Sequence, residues 1–149
     1  LYLNKLNYLK EEKEKLNDSC DVSKIILASA NKFGPSRSDV VFSLDIDKKN
    51  TVFRGSDEMW EAIIDNILNN FMRYAKSQIK ITLKNNKIIL YNDGPNIDKD
   101  VLNNIFTPYE KGVRGVFGLG LSIVKKTLGL LNYDINIENV KNGVKFIIS

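Results

Sequence analysis

The sequence predicts an α+β fold: a two-layer sandwich in which a mixed, mostly antiparallel sheet is covered on one face by helices. Three observations carry that expectation. Strand-like runs come in neighbouring pairs joined by Asn- or Gly-bearing turns, at 79–84 with 87–92 and at 134–139 with 144–149. Segments with helical spacing separate those pairs. The chain has 149 residues, 43% hydrophobic and 27% charged, which suits one compact domain with a short appendage.

Taken in order, residues 1–17 read as a helix. Tyr2, Leu6, Leu9 and Leu16 follow a four-three spacing broken by Lys13, a coiled-coil-like seam. A solvated surface helix with one packed edge fits this pattern as well as the end of a helix from a dimeric bundle does. Asn17, Asp18 and Ser19 break the pattern, and Asp21 is placed to cap a second helix over 22–30. Gly34-Pro35-Ser36 marks a loop. Residues 40–46 read as a strand, with 51–54 as its hairpin partner across a turn at 47–50. Ser56 is a suitable N-cap, and Asp57 and Glu58 favour the positive end of a helix expected to reach Tyr74. Strands at 79–84 and 87–92 flank Asn85-Asn86, and a short helix is expected over 99–105. A glycine-containing loop then leads to Gly120, where a helix to about residue 131 begins. The final hairpin turns at Asn142-Gly143. Residues 1–20 are thus expected to form a helix and linker, and 21–149 the main domain.

Composition excludes several chemistries. The net charge is +4, but the basic residues are spread along the chain, so no nucleic-acid partner is expected. A polyphosphate ligand or an acidic partner accounts for the charge equally well. The single cysteine, Cys20, rules out an internal disulfide framework. No apolar run approaches the roughly 20 residues of a membrane helix, and no signal-peptide pattern is present. The first residue is Leu1 and falls inside a predicted helix, so the chain is expected to start within a longer protein. The chain contains no histidine. Imidazole metal sites, His-dependent triads and phosphohistidine cannot form within it, so its chemistry must use amides, carboxylates, hydroxyls, Lys, Arg and the backbone.

Three segments carry candidate chemistry. On the helix from Ser56 to Tyr74, Trp60, Ile64, Ile67, Leu68 and Phe71 form an apolar stripe. Asn66, Asn70 and Arg73 form a polar line away from it. Asn competes with the helix backbone for hydrogen bonds, so these residues cost helix stability. A solvated face in an Asn-rich chain explains the line about as well as a functional one does. The chemistry that wants it is magnesium–phosphate binding, because Mg²⁺ takes hard oxygen ligands and keeps several waters. Arg73 and Lys76 follow where they can neutralise phosphate. The second segment, Tyr91-Asn92-Asp93-Gly94-Pro95-Asn96-Ile97, ends a strand; alone it reads as a plain turn. In the third, Gly118 and Gly120 precede an amphipathic helix bearing Leu121, Val124, Leu128 and Leu131, a geometry that lets phosphate reach free helix N–H groups. It is neither a Walker A loop nor a dinucleotide fingerprint.

The order of these segments resembles the catalytic domain of sensor histidine kinases, within the ATPase group shared with gyrase, the Hsp90 chaperone and MutL. The resemblance rests on an Asn-rich helix, a strand ending in Asn-Asp-Gly-Pro, Ile105-Phe106-Thr107-Pro108-Tyr109, and Gly118-Leu119-Gly120-Leu121 before a helix, and covers about 22–149. It implies ATP and Mg²⁺ as cofactors. Asn70 would be the Mg²⁺ ligand, with Asn66 and Arg73 completing the catalytic set and Tyr74 near the phosphates and ribose. Asn92, Asp93, Gly94, Asn96 and Ile97 would line the nucleotide, as would Phe106, Tyr109 and Lys111 around the lid, and Gly118, Leu119, Gly120 and Leu121 at the phosphates.

Three departures accompany the match. The family's adenine-contacting Asp is Asn92 here, the box's second glycine is Asn96, and Val116 and Phe117 precede Gly118. The resemblance further implies that 1–17 end a dimerisation and phosphoacceptor helix. In the parent, a membrane-anchored sensor with this domain in the cytoplasm, the γ-phosphoryl would pass to a histidine outside this chain, then to a response regulator receiver domain; the parent would be a homodimer. A degenerate, partner-binding module of the same fold is the alternative. Hydrolysing relatives carry a Glu base where this chain has Asn66, which argues against direct water activation.

Overall fold

The computed structural model describes residues 16–107 and 120–149. The predicted helix at 1–17, apart from its last two residues, and candidate residues Tyr109, Lys111, Gly118 and Leu119 lie outside them. The fold is α+β, with elements in the order β1 (Ser19–Asp21), α1 (Val22–Phe33), a 3-10 turn (Gly34–Ser36), β2 (Val41–Ile46), β3 (Val52–Arg54) and α2 (Asp57–Tyr74). Then follow β4 (Gln78–Lys84), β5 (Lys87–Asn92), α3 (Lys99–Asn103), α4 (Gly120–Leu130), β6 (Ile135–Val140) and β7 (Gly143–Ile148).

The main sheet has five strands in the order β2-β4-β5-β7-β6. Pairs β4–β5, β5–β7 and β7–β6 are antiparallel, and β2 runs parallel to β4 with Val41 opposite Gln78 and Ile46 opposite Leu83. The period-two alternation sends Ile79, Ile81 and Leu83, Ile88 and Leu90, and Phe146 and Ile148 to one buried face. Helix α2 lays its stripe on that face: Trp60, Ile63, Ile64, Ile67, Leu68 and Phe71 are fully buried. Phe71 meets Phe146 edge to face at 5.0 Å between centroids. Helices α1 and α4 pack on α2 to complete the second layer.

Local chemistry accounts for the element ends. Asp21 accepts from the Ser23 N–H and starts α1; the Ser56 hydroxyl accepts from the Met59 N–H at 3.2 Å and starts α2. Asn85 and Asn86 both take positive φ, the backbone a tight two-residue hairpin needs. The last hairpin turns one position earlier than expected. Val140 pairs with Gly143, so the loop is Lys141-Asn142, and Asn142 supplies the positive φ.

The expected hairpin between 40–46 and 51–54 does not form. Strand β2 pairs in parallel with β4, and β3 pairs antiparallel with β1, with Cys20 opposite Phe53. The reason is burial. Inward-facing Phe42, Leu44 and Ile46 of β2 pack against the core, and joining β4 puts them on the face α2 covers. Phe53 packs instead against Trp60 and Tyr133, with ring centroids 5.4 and 5.6 Å away.

Candidate functional site

The polar line of α2 leaves the core on one flank, where Asn66 and Asn70 are half-buried and Arg73 is exposed. Asn66 donates its Nδ2 to the Ala62 carbonyl at 2.7 Å, one turn back. That bond fixes the amide and leaves Oδ1 facing Gly120: a Cβ on Gly120 would stand 2.9 Å from Asn66 Oδ1. The first residue of α4 is therefore seated against Asn66 at a distance only glycine allows. Leu121, the next residue, is buried and holds the helix start to the core.

At the other end of the row, a Cβ on Gly94 would overlap the Tyr74 carbonyl oxygen and lie 2.7 Å from Asn92 Oδ1. Gly94 has no positive φ, so close approach is what requires glycine here. Asn66, Asn70 and Tyr74 are spaced i, i+4 and i+8. Gly120 abuts the first and Gly94 the last, so Asn70 stands midway along a row about 12 Å long at 1.5 Å per residue. Burial raises the Tyr74 phenol, and neighbouring Arg73 partly offsets this.

Asn92 and Asp93 point to opposite sides. Asn92 is 4% exposed, on the helix-facing side with Leu90 and Ile88, and its Oδ1 accepts from the Gly94 N–H at 2.9 Å. Asp93 anchors the α2–β4 loop. Its carboxylate accepts from the N–H groups of Lys76, Ser77 and Gln78 and from the Ser77 hydroxyl. Burial alone would raise this carboxyl, but the Ser77 hydroxyl and the three N–H donors outweigh it and hold it down at about 2.

Beyond Gly94, Asn96 does not take positive φ; its amide donates to the Val140 and Gly143 carbonyls at 3.0 and 2.8 Å. Ile97 is held at both backbone groups by the Asn139 amide, each bond 2.8 Å. Phe106 is half-buried against the core, with Lys125 Nζ 5.5 Å from its ring centroid.

Several supporting residues lie outside the candidate site set. Arg37 donates to the Met72 and Ala75 carbonyls at 2.8 and 3.1 Å, closing the C-terminal end of α2, and pairs with Asp39. Asp65, inside the Asn-rich segment, accepts from Ser29 Oγ at 2.6 Å and pairs with Lys32, fastening α2 to α1. Asn139 lies 42 residues from the Ile97 it holds, so no local pattern announces it.

The donor set suits a magnesium–nucleotide complex better than a protein-caged metal. Among the described residues no group of three or more Asp, Glu, Cys or His gathers around a point. The α2 row presents neutral amides and close-packed glycine backbone, a set that would leave phosphate and water oxygens to complete an Mg²⁺ shell.

Residues 55–149 match the family described as histidine kinase-, DNA gyrase B- and HSP90-like ATPases. The whole chain is 35% identical, over 153 aligned residues, to the sensor histidine kinase CssS of Bacillus subtilis (strain 168) and spans 34% of that protein. Among solved structures, a mycobacterial sensor histidine kinase, MprB, superposes with a TM-score of 0.78 at 18% identity, over 89% of this chain and 95% of that one. The catalytic domain of histidine kinase ThkA superposes with a TM-score of 0.76 at 23% identity, over 88% and 92%. These two likenesses speak for the fold.

Proposed function

The chain belongs to the histidine kinase-, DNA gyrase B- and HSP90-like ATPase family and is an ATP-binding catalytic domain of the sensor histidine kinase kind; from that premise we propose that it binds Mg-ATP in the crevice along Asn66, Asn70 and Tyr74. The observation that supports this most is the pair of glycine contacts, Gly120 on Asn66 and Gly94 on Tyr74, with Asn70 between them.

Asn92 stands at the purine end. Its Oδ1 is oriented by the Gly94 N–H and keeps a second lone pair for the adenine amino group. The first turn of α4 stands at the phosphate end, where the positive end of the helix dipole favours anions. Asn70 and phosphate oxygens would hold Mg²⁺, which supplies charge neutralisation when bound. Arg73, exposed at the same flank, adds a positive charge. Asn66 spends its Nδ2 on Ala62 and offers only a neutral amide oxygen to the crevice. It is far too weak a base to activate water, which favours keeping the γ-phosphoryl for an acceptor over hydrolysis.

That acceptor is a histidine outside these 149 residues, since none lies within them. The chain spans about a third of its curated relative, so the remaining roles are read at the level of the parent protein. We place the acceptor histidine on a dimerisation domain of the parent, the next transfer on a response regulator receiver domain, and this domain on the cytoplasmic side of a membrane-anchored homodimeric sensor.

Calorimetric titration of Mg-ATP tests the site. Asn70→Ala is expected to weaken binding at least about tenfold and to remove its Mg²⁺ dependence, while Asn92→Asp strengthens it severalfold through a charge-assisted bond. A folded wild-type chain that shows no saturable binding at millimolar ATP would favour the partner-binding alternative.

A further inference from the structure

Among the described residues, the five-stranded sheet has a second face that no helix covers. Its outward residues are Gln78, Lys80, Thr82 and Lys84 on β4, Ile89 and Tyr91 on β5, and Lys145 and Ile147 on β7. Two adjoining grooves of about 530 and 460 Å³ run over it and share Tyr91 and Lys141. Their rims carry Lys76 and Lys141 in one and Lys80, Lys141 and Lys145 in the other. None of these four lysines is ion-paired among the described residues; on this face Lys84 alone is, with Asp45 at 2.9 Å.

The floor is rigid. Tyr91 donates its hydroxyl to the Asn142 carbonyl at 2.7 Å, and its ring lies so close over Gly143 that any Cβ there would collide with it. Lys80, Tyr91 and Lys145 are in register across three adjacent strands. At about 4.8 Å per strand the backbones of the two lysines are about 10 Å apart, with Tyr91 on the strand between them.

The acidic groups nearby offset only part of this charge. Asp93 borders the first groove, but its carboxylate is turned into the backbone of 76–78. Glu138 is opposite Lys145 in register but outside both grooves. Like charges gathered on one face repel one another, and a polyanion relieves that.

We propose that this open sheet face docks an extended acidic peptide segment of a partner protein, its first groove bordering Gly94 and Asn96 of the candidate nucleotide site. Acidic side chains two residues apart share one face of an extended strand at about 6.7 Å, a spacing the long Lys80 and Lys145 stems can meet. Tyr91 and Ile89 receive the apolar stems between them. The recessed floor favours a peptide over a flat anionic bilayer, which would meet only the lysine tips.

The test is fluorescence anisotropy of a labelled octaglutamate peptide with the whole chain. It compares the wild type, a face variant (Lys80→Glu, Lys141→Glu, Lys145→Glu) and a charge-matched control on other surfaces (Lys24→Glu, Lys48→Glu, Lys49→Glu). The face variant is expected to lose at least about tenfold in affinity while the control stays within about threefold, with binding by the wild type falling as salt rises. Should the face variant fail to fold, Lys→Gln at the same three positions gives the same comparison. Absent binding by the wild type, or equal losses in face and control variants, overturns the proposal. So does tight binding to phosphatidylglycerol vesicles that the peptide cannot displace.

Discussion

At Asp93 the carboxylate oxygens collect three backbone N–H groups and a hydroxyl, while the side chain of Asn92, one position earlier, turns inward to Gly94. Period-two alternation along β5 says that the two point apart, and so was legible in the sequence. Which of them faces the helices was not, because that depends on the register of β5 against β4. Asp93 has a pH signature. Its carboxyl is held near 2 in the folded chain, below its ordinary 3.8. A depressed folded value means the unfolded chain takes up the proton first, so the stabilisation is full above about 4 and is lost as pH falls towards 2. Thermal melts from pH 6 to pH 2 should show the wild type losing its advantage over Asp93→Asn in that window. A difference between the two that stays constant across the range would show that the carboxylate does not anchor the loop.

Helix α2 is the element whose sequence and structure agree most fully. Its cap, first-turn acids and apolar stripe are all local, so they can be read within a single window. Ser56→Ala removes the side-chain acceptor for Met59 N–H and is expected to cost about 1 kcal/mol. Chemical denaturation should show that loss at an unchanged m-value, with Mg-ATP affinity intact. A loss of binding instead would mean that the cap positions Asn70. The strands at 41–46 and 52–54 show the opposite case. Asp47 to Asn50 has good turn chemistry, and Asn50 does take positive φ, yet the flanking strands join different sheets. Turn residues report where the chain bends, not which strand it pairs with next. The parallel partner of β2 begins at Gln78, more than thirty residues on.

Across the molecule, Cys20 joins distant parts of the chain. It lies in β1 opposite Phe53, is 2% exposed and belongs to the main core. Burial, then the hydrogen bond and charge of Asp57, push its thiol up to about 12. A thiol this high stays protonated at neutral pH and is a poor nucleophile. Maleimide labelling at pH 7.5 is therefore expected to track global unfolding, negligible in the native chain and fast in denaturant. Rapid labelling of the native chain would show that β1 and β3 open independently of the core. The sequence alone determined the sandwich class, the start and stop of the helix at 57–74 and the hairpin at 85–86, because each is written in a few neighbouring residues. Only the tertiary structure decided that Gly120 meets Asn66, that Gly94 meets Tyr74 and that Asp93 serves the loop rather than the crevice. It also gathered lysines 76, 80, 141 and 145 on one open face. These are contacts between segments 15 to 70 residues apart, set by how sheet and helices share one buried face rather than by any local preference of the chain.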